Sequence, residues 1–99
     1  MLFMVIEHFR PGRALEVYSR FAEKGRMAPA GVVYHSSWVD HDFERCFQVM
    51  EADSEAALAP WIEAWNDLVE FEVIAVRTSA EAAEQMSARM SPRRSEEDA

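Results

Sequence analysis

Met1-Leu2-Phe3-Met4-Val5-Ile6-Glu7-His8-Phe9 is the stretch on which the fold turns. It is rich in aromatic and β-branched residues and stops at Arg10-Pro11-Gly12, the composition of a strand running into a turn. Alternate positions of a strand point to opposite faces of its sheet. The even set is Leu2, Met4, Ile6 and His8; the odd set is Phe3, Val5, Glu7 and Phe9. Both sets are mostly apolar, so both faces of this strand are expected to be covered.

Outward from it the period changes. Arg13–Lys24 is helical: Ala14, Val17, Tyr18 and Phe21 share one stripe, and Gly25 follows as a helix stop. After a loop over residues 27–31, Val32–Val39 and Glu44–Met50 are strands joined by Asp40-His41-Asp42, a hairpin. Asp53 or Ser54 caps a second helix, whose stripe is Leu58, Trp61, Ile62, Trp65 and Leu68. Pro60 lies inside it and predicts a kink or a fresh start there. Val69–Arg77 is a fourth strand, and Thr78-Ser79-Ala80-Glu81 is a capping box opening a third helix to about Met90. The order β-α-β-β-α-β reads as α+β, a ferredoxin-like sandwich in strand order 4-1-3-2 with an extra C-terminal helix. One domain covers residues 1–90, and residues 91–99, with Pro92 and mixed charges, read as a flexible C-terminal tail.

The second face of this sheet needs a cover. Strand three offers Phe47 and Val49 on one side and Cys46 and Met50 on the other; strand four offers Phe71 and Val73 against Ile74 and Val76. Two helices cover one face only, and the thin Ala82, Ala83, Met86, Met90 stripe of the third helix is a poor lid for the other. A second copy of the chain, paired face to face in a homodimer, is the simplest cover.

Composition narrows the partners. In 99 residues there are 10 basic and 18 acidic side chains, a net charge of −8, which disfavours nucleic acid and anionic membranes. The apolar run Met1–Ile6 is too short to span a bilayer, and no basic signal-peptide start precedes it, so a cytoplasmic location is expected. One cysteine, Cys46, rules out an internal disulfide framework and multi-cysteine metal sites. No cofactor and no metal are expected, since nucleotide, dinucleotide, hydrolase and thiol-redox signatures are absent. Asp40-His41-Asp42 has metal-ligating side chains, but one turn cannot easily bring all three round an ion.

The run Trp61-Ile62-Glu63-Ala64-Trp65-Asn66-Asp67-Leu68-Val69-Glu70-Phe71-Glu72-Val73, together with Phe3-Met4-Val5-Ile6 and the strand ending at Trp38, resembles a family of short bacterial proteins known as a domain of unknown function. The resemblance covers roughly residues 1–86, and Ala75 stands where many members carry proline. Such proteins are similar in fold to the dimeric α+β barrel superfamily, which includes cofactor-free monooxygenases, haem-degrading enzymes, lactone isomerases and stress-induced proteins. The resemblance implies that fold and a dimer. It brings no catalytic residues with it.

Residues of possible chemistry are few. His35 lies among Tyr34, Ser36, Ser37 and Trp38 in the most polar strand, and His8 ends strand one. One reading is a pocket between helices and sheet, with Tyr34, Trp38 and Trp65 binding and His8, His35 or Glu51 relaying a proton. The other is an edge strand whose polar side faces water. Parity alone does not say which histidine faces the helices. Glu7 and Glu51 sit near strand ends, where solvated carboxylates are the simpler reading, and burial of either would raise its pKa. Cys46 reads as a buried, inert thiol. Two functions stay open: a non-catalytic binding or interaction module, favoured because buried polar candidates are scarce, and a cofactor-free enzyme, of monooxygenase or isomerase type, acting on a small aromatic or lactone-like organic molecule.

Overall fold

The alternation along the first strand sorts the whole molecule into two faces. In a computed structural model, which describes the backbone of residues 1–98 and the side chains of residues 1–90, that strand is β1 (Leu2–Phe9). It is followed by α1 (Ala14–Lys24), β2 (Val33–Val39), β3 (Arg45–Glu51), a 3₁₀ turn (Glu55–Leu58), α2 (Ala59–Trp65), β4 (Val69–Val76) and α3 (Ser79–Asp98). All strand pairs are antiparallel, in the order β2-β3-β1-β4, which is the ferredoxin-like order expected. The side chains of the expected tail, residues 91–99, lie outside the described residues. Among the described residues no helix is long and apolar enough to cross a membrane.

Register carries the two faces across the sheet. Phe3, Val5 and Glu7 pair with Met50, Gln48 and Cys46 on β3 and with Ala75, Val73 and Phe71 on β4. This inner face meets Val17 of α1 and Leu58, Trp61 and Trp65 of the second helical segment in one core. Met4, Ile6 and His8 pair with Val49, Phe47 and Arg45, and with Ile74, Glu72 and Glu70, on the outer face.

Pro60 explains the shape of the second helical segment. Ser54 Oγ accepts from Ala57 N at 3.3 Å and opens the 3₁₀ turn. The α-helix restarts with Pro60 in its first turn, where the missing N–H has no intrahelical partner to lose. Thr78 and Glu81 form the expected capping box: Glu81 N donates to Thr78 Oγ1 at 3.1 Å, and Thr78 N to Glu81 Oε1 at 3.3 Å. From Ser79 to Met90 every side chain of α3 is exposed except half-buried Ala82, so this part of the helix does not cover the outer face.

The core is closed by Trp61, which is fully buried and meets the Phe71 ring edge-on at 5.4 Å. Removing it leaves a large void between α2 and β4. Trp61→Ala is expected to cost about 3–5 kcal/mol, read as a lower urea midpoint. A loss under about 1 kcal/mol would contradict this packing.

Candidate functional site

Two polar side chains are buried on the inner face. Glu7 is 8% exposed and Gln48 1%, and Glu7 borders a cavity of about 210 Å³ between the sheet, α1 and α2. Its floor is Glu7, Phe9, Cys46, Ser37 and Val39 from the strands; its roof is Val17, Tyr18 and Phe21 from α1 and Trp61 and Trp65 from α2. Arg26, from the loop after α1, stands at its side.

The loop holds Arg26 through its backbone. Gly25 and Met27 flank it with left-handed φ values of +69° and +61°. Glycine adopts this shape freely, but methionine does so at a cost of about 1 kcal/mol or more. The bend delivers the Arg26 carbonyl to both indoles: Trp61 Nε1 donates to it at 3.1 Å and Trp65 Nε1 at 2.9 Å. The guanidinium then lies over the Tyr34 ring, 3.7 Å from its centroid, and donates to Gln48 Oε1 at 3.3 Å. Tyr34 Oη lies 2.7 Å from Ser37 Oγ.

Burial sets the electrostatics. Desolvation pushes the Glu7 carboxyl up from 4.5 to about 7, although hydrogen bonding from Gln48 and the Cys46 thiol and the charge of Arg26 pull the other way. Burial first, and Glu7 second, push Cys46 up to about 12, so this free thiol is no nucleophile at neutral pH. Glu7 is thus a carboxyl balanced between acid and base, in apolar surroundings. That is the state a general acid or base needs.

The expected site residues divide between the two faces. Trp65 lines the cavity, and Tyr34 stacks on Arg26 beside it. Trp38 does not: it lies on the outer face opposite Phe47, 58% exposed. His8 is on the outer face too, with Nε2 3.2 Å from Glu72 Oε1, and His35 Nε2 lies 2.8 Å from Glu51 Oε1. His8, His35 and Glu51 therefore do not converge with Trp65, and the expected proton relay between helices and sheet is corrected. The physical reason in β2 is a bulge. The register shifts between Tyr34 and Ser36, so Tyr34 faces inward while Trp38, four residues on, faces out. In β1 the reason is parity: the odd set is the inner one. Asp40 serves its turn, accepting from Glu44 N at 2.8 Å and Arg45 N at 3.1 Å. Among the described residues no three His, Cys, Asp or Glu side chains are grouped to hold a metal ion.

Glu7 has a measurable signature. Its folded pKa lies above the unfolded one, so between about 4.5 and about 7 the native chain holds a proton that the unfolded chain has released. Stability contributed by this group is complete at low pH and declines as pH rises through that window, by up to about 3 kcal/mol. Glu7→Gln is expected to be more stable than the wild type at pH 8 by about 1–3 kcal/mol, with no difference at pH 4. Urea unfolding across pH checks this; parallel profiles for the two proteins would contradict it.

No curated protein matches the chain. Among solved structures, an uncharacterized NIPSNAP domain protein from Burkholderia xenovorans is similar with a TM-score of 0.49 and 11% identity, covering 80% of this chain and 97% of that one. A provisionally assigned antibiotic biosynthesis monooxygenase from Chloroflexus aurantiacus J-10-fl is similar with a TM-score of 0.43 and 14% identity, covering 80% of this chain and 96% of that one. The family profile described as Domain of unknown function (DUF3303) matches residues 1–90, and the chain belongs to that family.

Proposed function

We propose that this chain is a homodimeric binding domain that holds a small aromatic molecule in the cavity between its sheet and its two packed helices. The observation that carries the reading is the cavity itself. At about 210 Å³ it is smaller than the roughly 300–1,000 Å³ of drug-sized sites. It is larger than the cavity of about 150 Å³ that takes up benzene in an engineered protein interior. One ring with a small substituent fits. Aromatic walls favour a flat occupant, and Glu7, Arg26 and Ser37 offer it polar contacts. The reading includes the cytoplasm, where Cys46 stays a free thiol.

The homodimer is supported by the outer face. Met4, Ile6, Phe47 and Val49 are only half-buried there, while Ile74 and Trp38 are exposed. A two-fold partner would seal this apolar surface. Light scattering is expected to give twice the 11.4 kDa chain mass. Ile74→Asp should shift the population to monomer or aggregate, because burying an unpaired charge costs several kcal/mol. A monomer mass for the wild type at micromolar concentration would overturn this.

One observation favours a second, catalytic reading. Glu7, itself buried on the cavity floor and poised near neutral pH, would serve as a general base without a cofactor. In that case its target is an electron-rich, weakly acidic ring.

Binding is tested with Trp38→Phe, which leaves Trp61 and Trp65 as the emitters. Phenol and benzamide should quench their fluorescence with saturation, and Val17→Phe, which narrows the cavity without adding an emitter, should weaken the response. Linear quenching across the concentration range would remove the reading.

A further inference from the structure

Several arginines among the described residues are spent on partners, and Arg26 keeps most of its donors. Arg20 grips Asp67 through two bonds of 2.8 and 2.7 Å, Arg13 pairs with Glu16 at 2.6 Å, and Arg45 pairs with Asp40 at 3.3 Å. Arg10 donates twice to the Asn66 carbonyl. Arg26 has no carboxylate within ion-pair distance among the described residues. Its single side-chain hydrogen bond there is the long one to Gln48. A guanidinium carries five N–H donors, so most of its fork is unused, and this fork stands at the cavity. The backbone spends strain at Met27 to hold it there, and Tyr34 stacks under it.

We propose that the occupant of the cavity is an aromatic monocarboxylate, its carboxylate held by the Arg26 fork and by the Glu7 carboxyl, which takes up a proton as the ligand enters. This rests on the binding reading above and adds the chemical class of the ligand. An anion in an apolar cavity is costly unless it is paired and hydrogen-bonded. Arg26 provides the charge and the planar bidentate geometry that a carboxylate matches. Protonated Glu7 provides an O–H donor, whereas ionised Glu7 would repel the ligand. The proton therefore cancels the incoming charge, which matters in a chain of net charge −8.

The groups facing Glu7 make it the proton acceptor. From β3 come Gln48 and the Cys46 thiol, whose pKa near 12 keeps it protonated. From β4 comes apolar Phe71, directly opposite. From α1 comes Tyr18, raised above 10 by burial first, and by Cys46, Glu7 and Asp40. From β2 comes Ser37, and from α2 the two indoles, already donating to the Arg26 carbonyl. Arg26 is the one cation among them. With Glu7 near 7 in the free protein, an anion beside it moves that value higher. Ligand affinity is then full below about pH 7 and falls as pH rises above it, by up to about tenfold per unit.

The test is titration calorimetry with three matched probes: benzoate, benzamide and benzylamine. Benzoate should bind at pH 6 at least about tenfold more tightly than benzamide and weaken between pH 7 and 8. In MOPS and Tris at pH 7.5, whose ionisation heats differ, benzoate binding should take up between about half and one proton. Glu7→Gln should keep benzoate binding but lose the proton uptake and the pH dependence, and Arg26→Gln should reduce benzoate to the benzamide level. The proton measurement needs only the wild-type protein, so it stands even if a variant folds poorly. Equal binding of benzoate and benzamide would overturn the carboxylate assignment and leave the cavity reading intact. Preference for benzylamine with proton release would also overturn it, pointing to ionised Glu7 as the anchor. Binding of none of the three would overturn both.

Discussion

Two indole N–H groups share one carbonyl, and much of the structure depends on that arrangement. Trp61 and Trp65 sit one turn apart on α2, and both donate to the Arg26 carbonyl. A buried tryptophan N–H without a partner is costly, and the helix offers none for a side chain that points away from it. The loop after α1 must therefore come to the helix. It does so through a left-handed backbone on either side of Arg26. The same bend that satisfies the indoles places the guanidinium over Tyr34 and beside the cavity. Core packing and candidate site are thus one construction, and the strain at Met27 is balanced by two buried hydrogen bonds.

The inner face of the sheet follows a similar economy. Gln48 is almost fully buried and would be a liability in an all-apolar core. It accepts from Arg26 and hydrogen-bonds Glu7, so three polar groups from three segments satisfy one another across a layer otherwise made of Phe3, Val5 and Met50. Such a network is stable only when most of its members have partners. Arg26 is the member with donors to spare, and it lines the cavity.

The order of elements, the central place of β1, the restart at Pro60 and the capping box at Thr78 were legible because each rests on local chemistry: alternation, a missing N–H, a reciprocal hydrogen bond. The site was legible only in part. Trp65 was expected to line a pocket between helices and sheet, and it does border the cavity. Glu7 was weighed as an acid whose pKa would rise on burial, yet its place near a strand end suggested water. What burial there required was the register, which sets Glu7 between Cys46 and Phe71. Trp38 was misplaced because a bulge is a count of residues, not a composition, and nothing in Tyr34-His35-Ser36 announces the extra one. Arg26 carries no sequence signal at all. Its role comes from a loop shape that the distant tryptophans impose.

The same residue types therefore have opposite fates on the two faces. Glu51 and His35 meet on the outer side, where both remain half in water and water screens what they do to each other. Glu7 meets no histidine. Its partners are an amide, a thiol and a guanidinium, none of which can take its proton at neutral pH, and solvent is largely excluded. A charge change there is felt by the whole cavity, because little else is present to absorb it. Histidines alone would have been the obvious guide to proton chemistry in this chain. Dielectric, rather than residue type, decides where a proton can be gained or lost to effect, and by that measure the cavity floor at Glu7 outranks either histidine.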